Sequence, residues 1–280
     1  MNVYYSFYEL TPLKSANRLS STQTKHGVHL KVAKRISANF ADYFPHMPLG
    51  DRHVEEFLEQ FKYQDHEYDK KIFHFLLNED RLSALPNKKI HNHELWDGVS
   101  QVSSPVVKYK LHDPQDLRFM PLLKKGIRMR LDANGLFTKL LLQNFLKEIS
   151  DSTLIDYLED PMQDLDWSGF TLPFAQDFIQ GAPSEFIIHK PNARFYPKEE
   201  KKIIMSSYLG SDLGKWHAYC EFKERGALSE YHGIITTGFY QEERLKFQGS
   251  YTAGFIPEEK SIKNMYNELD GKSWKLLCSI

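Results

Sequence analysis

Short apolar runs, each closed by a polar or charged residue, recur from about residue 102 onward in this 280-residue chain. Runs of this length that end at turn residues are typical of buried strands. Amphipathic stretches separate several of them, and strands that alternate with helices favour parallel pairing with right-handed crossovers. The pattern therefore predicts a barrel of parallel strands. The runs cover residues 106–111, 127–131, 154–158, 171–175, 186–189, 203–206 and 233–236.

Two lysines share the first run, in the segment Pro105-Val-Val-Lys-Tyr-Lys-Leu111. Lys108 and Lys110 are two residues apart, so in a strand both ammonium groups point to the same side, where they repel each other. A Lys-x-Lys pair alone is typical of a solvated strand edge. The acids that follow at the ends of later runs favour a functional interpretation instead.

Three carboxylates and a third lysine stand at the ends of these later runs. They are Asp132, Glu159, Asp177 and Lys190. The carboxyl ends of the strands in a parallel barrel open onto one face, where side chains from different strands converge. Three acids in one opening would repel each other unless a cation held them. Carboxylates are hard oxygen ligands, so Mg²⁺ is the expected ion.

Helical spacing is clearest over residues 137–149, where Leu140, Leu141, Phe145 and Ile149 are expected to line one face. Residues 210–225 are predicted to form a second helix. A full eight-unit barrel usually needs roughly 200 residues or more, and this region offers fewer. We therefore expect some barrel helices to be shortened or missing.

The first 95 residues differ in pattern from the rest and predict a small α+β unit. Residues 3–10 and 28–32 have the composition of strands around the polar stretch 15–27, which we expect to be a mobile loop. Residues 54–61 have helical spacing, with their apolar side chains on one face. The expected organisation is an α+β domain over 1–95, a barrel over 96–250, and a carboxyl-terminal segment, 251–280, that packs back on both.

Charge and hydropathy narrow the class of protein. The 36 basic and 37 acidic residues are interspersed, so no nucleic-acid or membrane-surface partner is expected. No apolar run is long enough to span a bilayer, and the amino terminus lacks a charged leader, so we expect a cytoplasmic protein. Cys220 and Cys278 lack the spacing of a metal or redox pair, which makes disulfides unexpected.

Taken together, these motifs resemble the enolase superfamily, its muconate-lactonizing-enzyme-like group and, among these, the o-succinylbenzoate synthases. The likeness covers about half of the chain. The residues that carry it are Lys108-x-Lys110, Arg130-x-Asp132-Ala-Asn134, Glu159-Asp-Pro161, Asp177, Lys190-Pro191 and the segment Met205-Ser-Ser-Tyr-Leu-Gly-Ser-Asp-Leu-Gly214.

The resemblance implies an α+β capping domain over a modified (β/α)₇β barrel of the TIM type. It also implies that Asp132, Glu159 and Asp177 bind Mg²⁺ and that the substrate is a small carboxylate. Removal of a proton next to a carboxylate creates additional negative charge, which a bound cation stabilises. Enzymes of this superfamily are known to combine a lysine base with Mg²⁺ in catalysis.

For a synthase, the resemblance implies dehydration of 2-succinyl-6-hydroxy-2,4-cyclohexadiene-1-carboxylate to o-succinylbenzoate, a step of menaquinone biosynthesis. Lys110 would remove the proton and return it to the departing hydroxyl, which makes the elimination syn. Lys190 would stay cationic on the opposite face, and Lys108 would tune Lys110. Arg130 would bind a substrate carboxylate with its planar fork. Ser206 and Ser207 would contact the succinyl end.

Other interpretations remain open at this point. A racemase or epimerase acting on N-acylamino acids or dipeptides would use Lys110 and Lys190 as two bases, and a barrel that has lost turnover would be a binding protein. Glu185 and Asp164 are alternative metal ligands to Asp177. The segment His91-Asn-His93-Glu94 resembles half of a zinc site but lacks a third ligand, so we interpret it as solvated polar residues.

Overall fold

The computed structural model describes most residues of the chain. Its strands are β1 (Asn2–Leu10), β2 (Lys25–Ala33), β3 (Ala38–Tyr43), β4 (Glu94–Trp96), β5 (Val106–Lys110), β6 (Arg128–Asp132), β7 (Ile155–Glu159), β8 (Phe174–Gln176), β9 (Phe186–His189), β10 (Lys202–Met205), β11 (Phe247–Ser250), β12 (Gly254–Pro257) and β13 (Lys275–Ser279). Its helices are α1 (Val54–Phe61), α2 (Met120–Lys124), α3 (Lys139–Ile149), α4 (Asp212–Arg225) and α5 (Glu259–Asp270). The described residues are 1–13, 23–33, 38–47, 50–63, 72, 75–77, 86–149, 153–178, 181, 183–191, 202–207, 209–225, 230–236 and 238–279.

The amino-terminal part is an antiparallel sheet covered by a helix, here called the cap. Its four strands run in the order β13-β1-β2-β3, so the outer strand β13 comes from the other end of the chain. Helix α1 buries Val54, Phe57, Leu58 and Phe61 against this sheet, as its apolar spacing predicts. The expected α+β cap is therefore confirmed, with two strands, β3 and β13, that the sequence pattern did not indicate.

The remaining strands form a curled parallel sheet in which β4 to β10 lie side by side in chain order. Residues His232 and Gly233 close the ring, because His232 bridges Asn92 next to β4 and Gly233 bridges Ser206 next to β10, both in parallel. A ring of parallel strands ending on one face is the arrangement that the apolar runs predict. The modified barrel with a separate cap is confirmed.

Helices cover only part of the barrel. The connection from β5 to β6 carries the five-residue α2, and the described residues between β7 and β8, and between β8 and β9, contain no helix. The expectation of shortened or missing helices is therefore confirmed for the described residues. Helix α5 packs on α4, with Met265 and Ile262 buried in the same apolar cluster as Trp216.

One helix face was predicted only in part. Helix α3 begins at Lys139, and it buries Phe145 and Ile149 as predicted, together with Leu142. Leu140 and Leu141 are 66% and 38% exposed, so the prediction is wrong for these two residues. Among the residues that the structure describes, none of the helices has the length and apolar content that a membrane crossing requires.

Candidate active site

The candidate residues stand at the ends of consecutive barrel strands. Lys110, Asp132 and Glu159 are the last residues of β5, β6 and β7, and the strand register places Lys110 beside Asp132 and Asp132 beside Glu159. Asp177 follows β8 directly, and Lys190 follows β9. The parallel order of the strands therefore brings side chains that are far apart in sequence to one end of the barrel.

Lys108 lies between two of the acids. Its Nζ atom is 2.7 Å from both carboxylate oxygens of Glu159 and 3.1 Å from Oδ2 of Asp132. Lys110 approaches the same Asp132 oxygen at 3.4 Å. Asp132 and Glu159 are only 2% and 1% exposed, so these ion pairs are shielded from water. Both members of the Lys-x-Lys pair thus face the acids, as the two-residue spacing predicts.

Lys190 and Asp177 form the other side of this group, with Nζ 2.5 Å from Oδ2. The two sides influence each other electrostatically. The charge of Asp177 contributes to a higher pKa of Glu159, and the charge of Lys190 contributes to a lower pKa of Asp132. Lysines therefore flank a row of acids from two directions.

Burial and the neighbouring charges both shift the pKa values of these groups. Burial alone would lower the pKa of Lys108, but Asp132 and Glu159 outweigh burial and hold it well above the usual value. Burial would raise the pKa of Asp132, but Lys108 and Lys110 lower it to about 2. Burial and the neighbouring Asp132 raise the pKa of Glu159 to about 7. The positive charges of the lysines thus compensate the negative charges of the acids only in part.

Asp160 is a residue of the site to which the sequence pattern assigned no role. It is fully buried, and its carboxylate accepts hydrogen bonds from the backbone N–H groups of Asp177 and Phe178 at 3.1 and 3.0 Å. Its φ of 42° is left-handed, a strained conformation that surrounding contacts must hold. Asp160 therefore fixes the strand end that carries Asp177, and the Glu-Asp-Pro motif was the available signal.

Asp132 is held by its own turn. Asn134 donates a hydrogen bond from Nδ2 to Oδ1 of Asp132 at 2.5 Å. Asn134 has a φ of 49°, and Gly135 follows with a φ of 68°. Asn and Gly are the residues that adopt this left-handed backbone most readily. The segment Asp132-Ala-Asn-Gly is therefore a turn that also orients a site carboxylate.

Arg130 lies two residues before the end of β6, further inside the barrel, and is 2% exposed. Its guanidinium donates to Asp156 Oδ2 at 3.1 Å and to the Tyr231 carbonyl at 3.0 Å, and it lies 3.1 Å from Nδ1 of His93. It faces the interior, as the spacing predicts. Its contact with a substrate carboxylate stays a prediction.

The two middle residues of the segment His91-Asn-His93-Glu94 are buried, which corrects our interpretation of this segment as solvated. Asn92 and His93 are 0% and 6% exposed, because the barrel closes at this point. Burial, followed by the charge of Arg130, lowers the pKa of His93 well below the usual value. A sequence pattern of polar residues does not indicate such burial, because their partners lie far away in the chain.

Ser206 and Ser207 follow β10 at the same end of the barrel. The Ser206 hydroxyl donates to the Gly233 carbonyl at 3.2 Å, and the Ser207 hydroxyl lies 3.3 Å from that of Thr236. The serines thus extend the row of strand-end residues by one strand. Their contact with a ligand stays a prediction.

The cap reaches toward the lysines through His46, which follows β3. Burial, together with the charges of Lys190 and Lys110, lowers the pKa of His46 to about 3. Its backbone N–H is held by the buried Asp51 carboxylate at 2.7 Å. The neutral imidazole is therefore a cap group within the electrostatic range of both lysines. Of the predicted mobile loop, 15–27, residues 15–22 lie outside the described residues, and the prediction is wrong for residues 25–27, which belong to strand β2.

The chemistry of the donors fits a divalent cation. Asp132, Glu159 and Asp177 offer hard oxygen atoms, and the Lys108 ammonium lies between two of them in the position of a cation. With the lysines placed this way, no three His, Cys, Asp or Glu side chains within the described residues converge closely enough to bind a metal ion. Mg²⁺ would thus compete with ammonium groups for the same oxygens.

The two alternative ligands lie outside this group. Glu185 forms an ion pair with Lys202 at 2.5 Å, and this pair is about half exposed. Asp164 Oδ1 accepts the backbone N–H of Asp166 in an exposed loop. Neither is paired with the lysines of the site, so the geometry favours Asp177 as the third acid.

Comparison with known proteins finds similarity to o-succinylbenzoate synthases, which the sequence motifs also resemble. Residues 3–70 match the family model described as the O-succinylbenzoate synthase N-terminal domain. A curated o-succinylbenzoate synthase from Bdellovibrio bacteriovorus is 26% identical over 305 residues, which cover 90% of this chain and 92% of that protein. The resemblance to the enolase superfamily is confirmed.

Solved structures of this superfamily share the fold. MenC from Desulfotalea psychrophila matches with a TM-score of 0.62 at 14% identity, covering 92% of this chain and 99% of that chain. The dipeptide epimerase from Enterococcus faecalis, in complex with Mg and the dipeptide L-Leu-L-Tyr, matches with a TM-score of 0.65 at 10% identity, covering 91% and 96%. MenC and this epimerase thus share the fold of this chain.

Proposed function

We propose that the chain is an o-succinylbenzoate synthase that dehydrates 2-succinyl-6-hydroxy-2,4-cyclohexadiene-1-carboxylate. The observation that carries the proposal is the row of acids at adjacent strand ends, with Lys110 on one side and Lys190 on the other. The likeness of the cap to synthase caps supports this reaction within the superfamily.

The cap would span residues 1–95 and the barrel 96–250, with 251–280 packing on both.

In this proposal, Lys110 carries out the proton transfers. Its neutral amine removes the proton from the carbon next to the substrate carboxylate. The C–O bond at the neighbouring ring carbon, which carries the hydroxyl group, then breaks. The same lysine, now an ammonium, gives its proton to the departing hydroxyl. Water leaves, and the ring becomes aromatic without any oxidant.

Lys190 and Lys108 have electrostatic roles. Lys190 remains an ammonium on the opposite face and stabilises the negative charge that develops on the substrate. Lys108, buried between Asp132 and Glu159, would keep a positive charge close to Lys110 and tune its reactivity. Arg130 would provide further positive potential inside the barrel, and Ser206 and Ser207 would contact the succinyl end.

Asp132, Glu159 and Asp177 would bind Mg²⁺, whose charge would stabilise the carboxylate of the substrate as proton removal makes it more negative. Among the solved relatives, the epimerase from Enterococcus faecalis is a complex with Mg, which supports this choice of ion. The substrate would be a small carboxylate.

The decisive experiment measures formation of the aromatic product by the purified protein with the cyclohexadiene substrate and Mg²⁺. Lys110→Ala should abolish turnover, while the variant still folds cooperatively and still binds Mg²⁺. Lys202→Ala is a matched control, because Lys202 pairs with Glu185 on the surface, and this change should leave turnover intact. Turnover by Lys110→Ala would contradict the assignment of the base.

A dipeptide or N-acylamino acid epimerase is the second candidate, favoured by lysines on both sides of the acids and by the epimerase with the same fold. In D₂O, an epimerase would exchange the α-proton of an N-succinylamino acid or a dipeptide. Such exchange without any aromatic product would support the epimerase and contradict the synthase. A binding protein would show neither reaction but would retain ligand binding.

A further inference from the structure

A second buried polar network joins the cap to the first turn of α4. Its members, here called the junction network, are Tyr8, His29, Asp42, Ser211 and Lys272. The first three belong to the cap strands β1, β2 and β3, Ser211 precedes α4, and Lys272 follows α5. Tyr8, His29, Asp42 and Ser211 are all more than nine-tenths buried. Three parts of the chain therefore meet in one set of hydrogen bonds.

Asp42 is the centre of this network. Tyr8 donates its phenol hydrogen to Oδ1 of Asp42 at 2.6 Å. The Ser211 hydroxyl lies 3.1 Å from Nε2 of His29, and this nitrogen is 3.9 Å from Oδ1 of Asp42. The Ser211 carbonyl accepts the N–H of Lys215, so Ser211 begins the helical hydrogen bonding. A cap carboxylate is thus connected, through Tyr8 and His29, to the residue that begins a 14-residue barrel helix.

The hydrogen-bond directions in the network are determined by Lys272. Its Nζ atom lies 3.2 Å from Nδ1 of His29, and an ammonium group can only donate, so Nδ1 accepts. The other ring nitrogen, Nε2, then carries the hydrogen and faces the Ser211 hydroxyl at 3.1 Å. The Tyr8 ring stacks on His29 with 4.2 Å between ring centres. The network therefore specifies one arrangement of cap and helix.

The junction network lies at the far end of the segment that carries the candidate substrate serines. Ser211 is four residues after Ser207 in the chain. Between them, the Leu209 carbonyl accepts the Tyr240 hydroxyl at 2.6 Å, and Leu209 packs against the apolar cluster of Tyr8 and Phe44. The cap thus holds this segment by one apolar contact and one network of hydrogen bonds.

We propose that Asp42 is a positioning residue: it fixes the start of α4 against the cap and thereby holds Ser206 and Ser207 in place for the substrate. This inference rests on the proposed function of those serines. Burial of a carboxylate between two surfaces costs desolvation free energy, and apolar side chains would stabilise the same contact equally well. The directional hydrogen bonds of the junction network, however, favour one position of the helix start.

The energetic state of Asp42 agrees with this role. Burial raises its pKa to about 6, although the hydrogen bond from Tyr8 acts in the opposite direction. The charged groups around it are Lys272 and, through Lys272, Glu268 on α5. The carboxylate is thus retained at a cost to stability, which a purely structural contact would not require.

The test is Asp42→Asn, which keeps the shape but loses the charge and one acceptor. Loss of a buried acceptor should raise KM roughly tenfold with kcat unchanged. Backbone hydrogen exchange of residues 209–213 should become faster. Ser211→Ala should raise KM in the same way, and Ser211→Thr should restore it. If Asp42→Asn does not fold, Tyr8→Phe removes only the phenol donor and should produce a smaller rise of KM.

The matched control is Glu242→Gln. Glu242 also crosses from the barrel to the cap, where it accepts the N–H and the hydroxyl of Thr11 at 2.9 and 2.7 Å, but it is not attached to the serine segment. It should lower stability without changing KM. An unchanged KM and unchanged exchange in Asp42→Asn, or an equal rise of KM in Glu242→Gln, would overturn the proposal.

The exchange measurement separates this inference from the proposed function. A wild-type protein that forms no aromatic product contradicts the synthase. Exchange at residues 209–213 needs no substrate, so it still decides whether Asp42 holds the serine segment. Faster exchange in Asp42→Asn alone supports the positioning of the segment, and equal exchange contradicts it.

Discussion

Replacement of Lys108 by methionine removes the cation between two buried acids while the side chain keeps a similar length. In the wild type, Nζ lies within 2.7 Å of Glu159 and 3.1 Å of Asp132, and both carboxylates are at most 2% exposed. Removal of one partner of a buried ion pair costs roughly 3–5 kcal/mol, because the remaining charge has no compensation. At roughly 2 °C per kcal/mol for a chain of this size, the Tm should fall by roughly 6–10 °C.

Thermal unfolding in EDTA and in Mg²⁺ measures this effect. In EDTA, Lys108→Met should unfold at the lower temperature. Mg²⁺ should restore more stability to the variant than to the wild type, because the ammonium group no longer competes for the carboxylate oxygens and a ligand stabilises the state that binds it. The shift with Mg²⁺ should saturate at a lower concentration in the variant.

Lys139→Met is the matched control, because Lys139 pairs with Asp166 at 2.6 Å while both side chains are about half exposed. Pairs of this kind contribute at most about 1 kcal/mol. If Lys108→Met unfolds in EDTA at the temperature of the wild type, the acids do not depend on this lysine. If Mg²⁺ shifts neither protein, the proposed metal site is wrong.

Three further predictions concern the cap, the acids and the barrel closure. The pKa of Asp42 is about 6 in the folded protein against an ordinary value of 3.8, so the folded state holds this proton more tightly. Stability should therefore fall by about 3 kcal/mol as pH rises through that range, relative to Asp42→Asn, in urea unfolding at several pH values. Asp160→Ala should weaken Mg²⁺ binding measured by calorimetry, because the N–H groups of Asp177 and Phe178 lose their acceptor; equal affinity would contradict this. Gly233→Ala should lower the free energy of unfolding by roughly 1–3 kcal/mol, because its Cβ would lie 2.7 Å from the His93 ring, and a neutral result would show that the ring moves freely.

Local pattern was sufficient for the elements whose apolar spacing decides their burial. Helix α1 and the barrel strands β5, β6 and β7 lie within one residue of the predicted runs. Strand β3 was not predicted, because Asn39 and Asp42 interrupt its apolar pattern, and both are buried with partners far away in the chain. Strand β13 was missed for a related reason, since only its pairing with β1 identifies it.

The candidate site followed from the order of charged residues at strand ends, since parallel strands bring such residues together. What the order cannot indicate is the pairing between side chains. The two-residue period places Arg130 inside the barrel, but its hydrogen bonds to Asp156 and Tyr231 depend on how the strands curl. The burial of Leu141 was mispredicted for a similar reason, because packing against the sheet decides whether Leu141 or Leu142 is covered.

In the proposed function, the closure of the barrel by two residues sets one part of substrate recognition, Ser206 and Ser207, apart from the lysines and acids. The lysines and acids stand on strands joined by continuous ladders, whereas Ser206 adjoins a seam of single bridges formed by His232 and Gly233. Substitutions at this seam would alter the fit of a new molecule without moving the atoms that exchange protons. A scaffold built in this way can acquire a different substrate while its acid and base remain undisturbed.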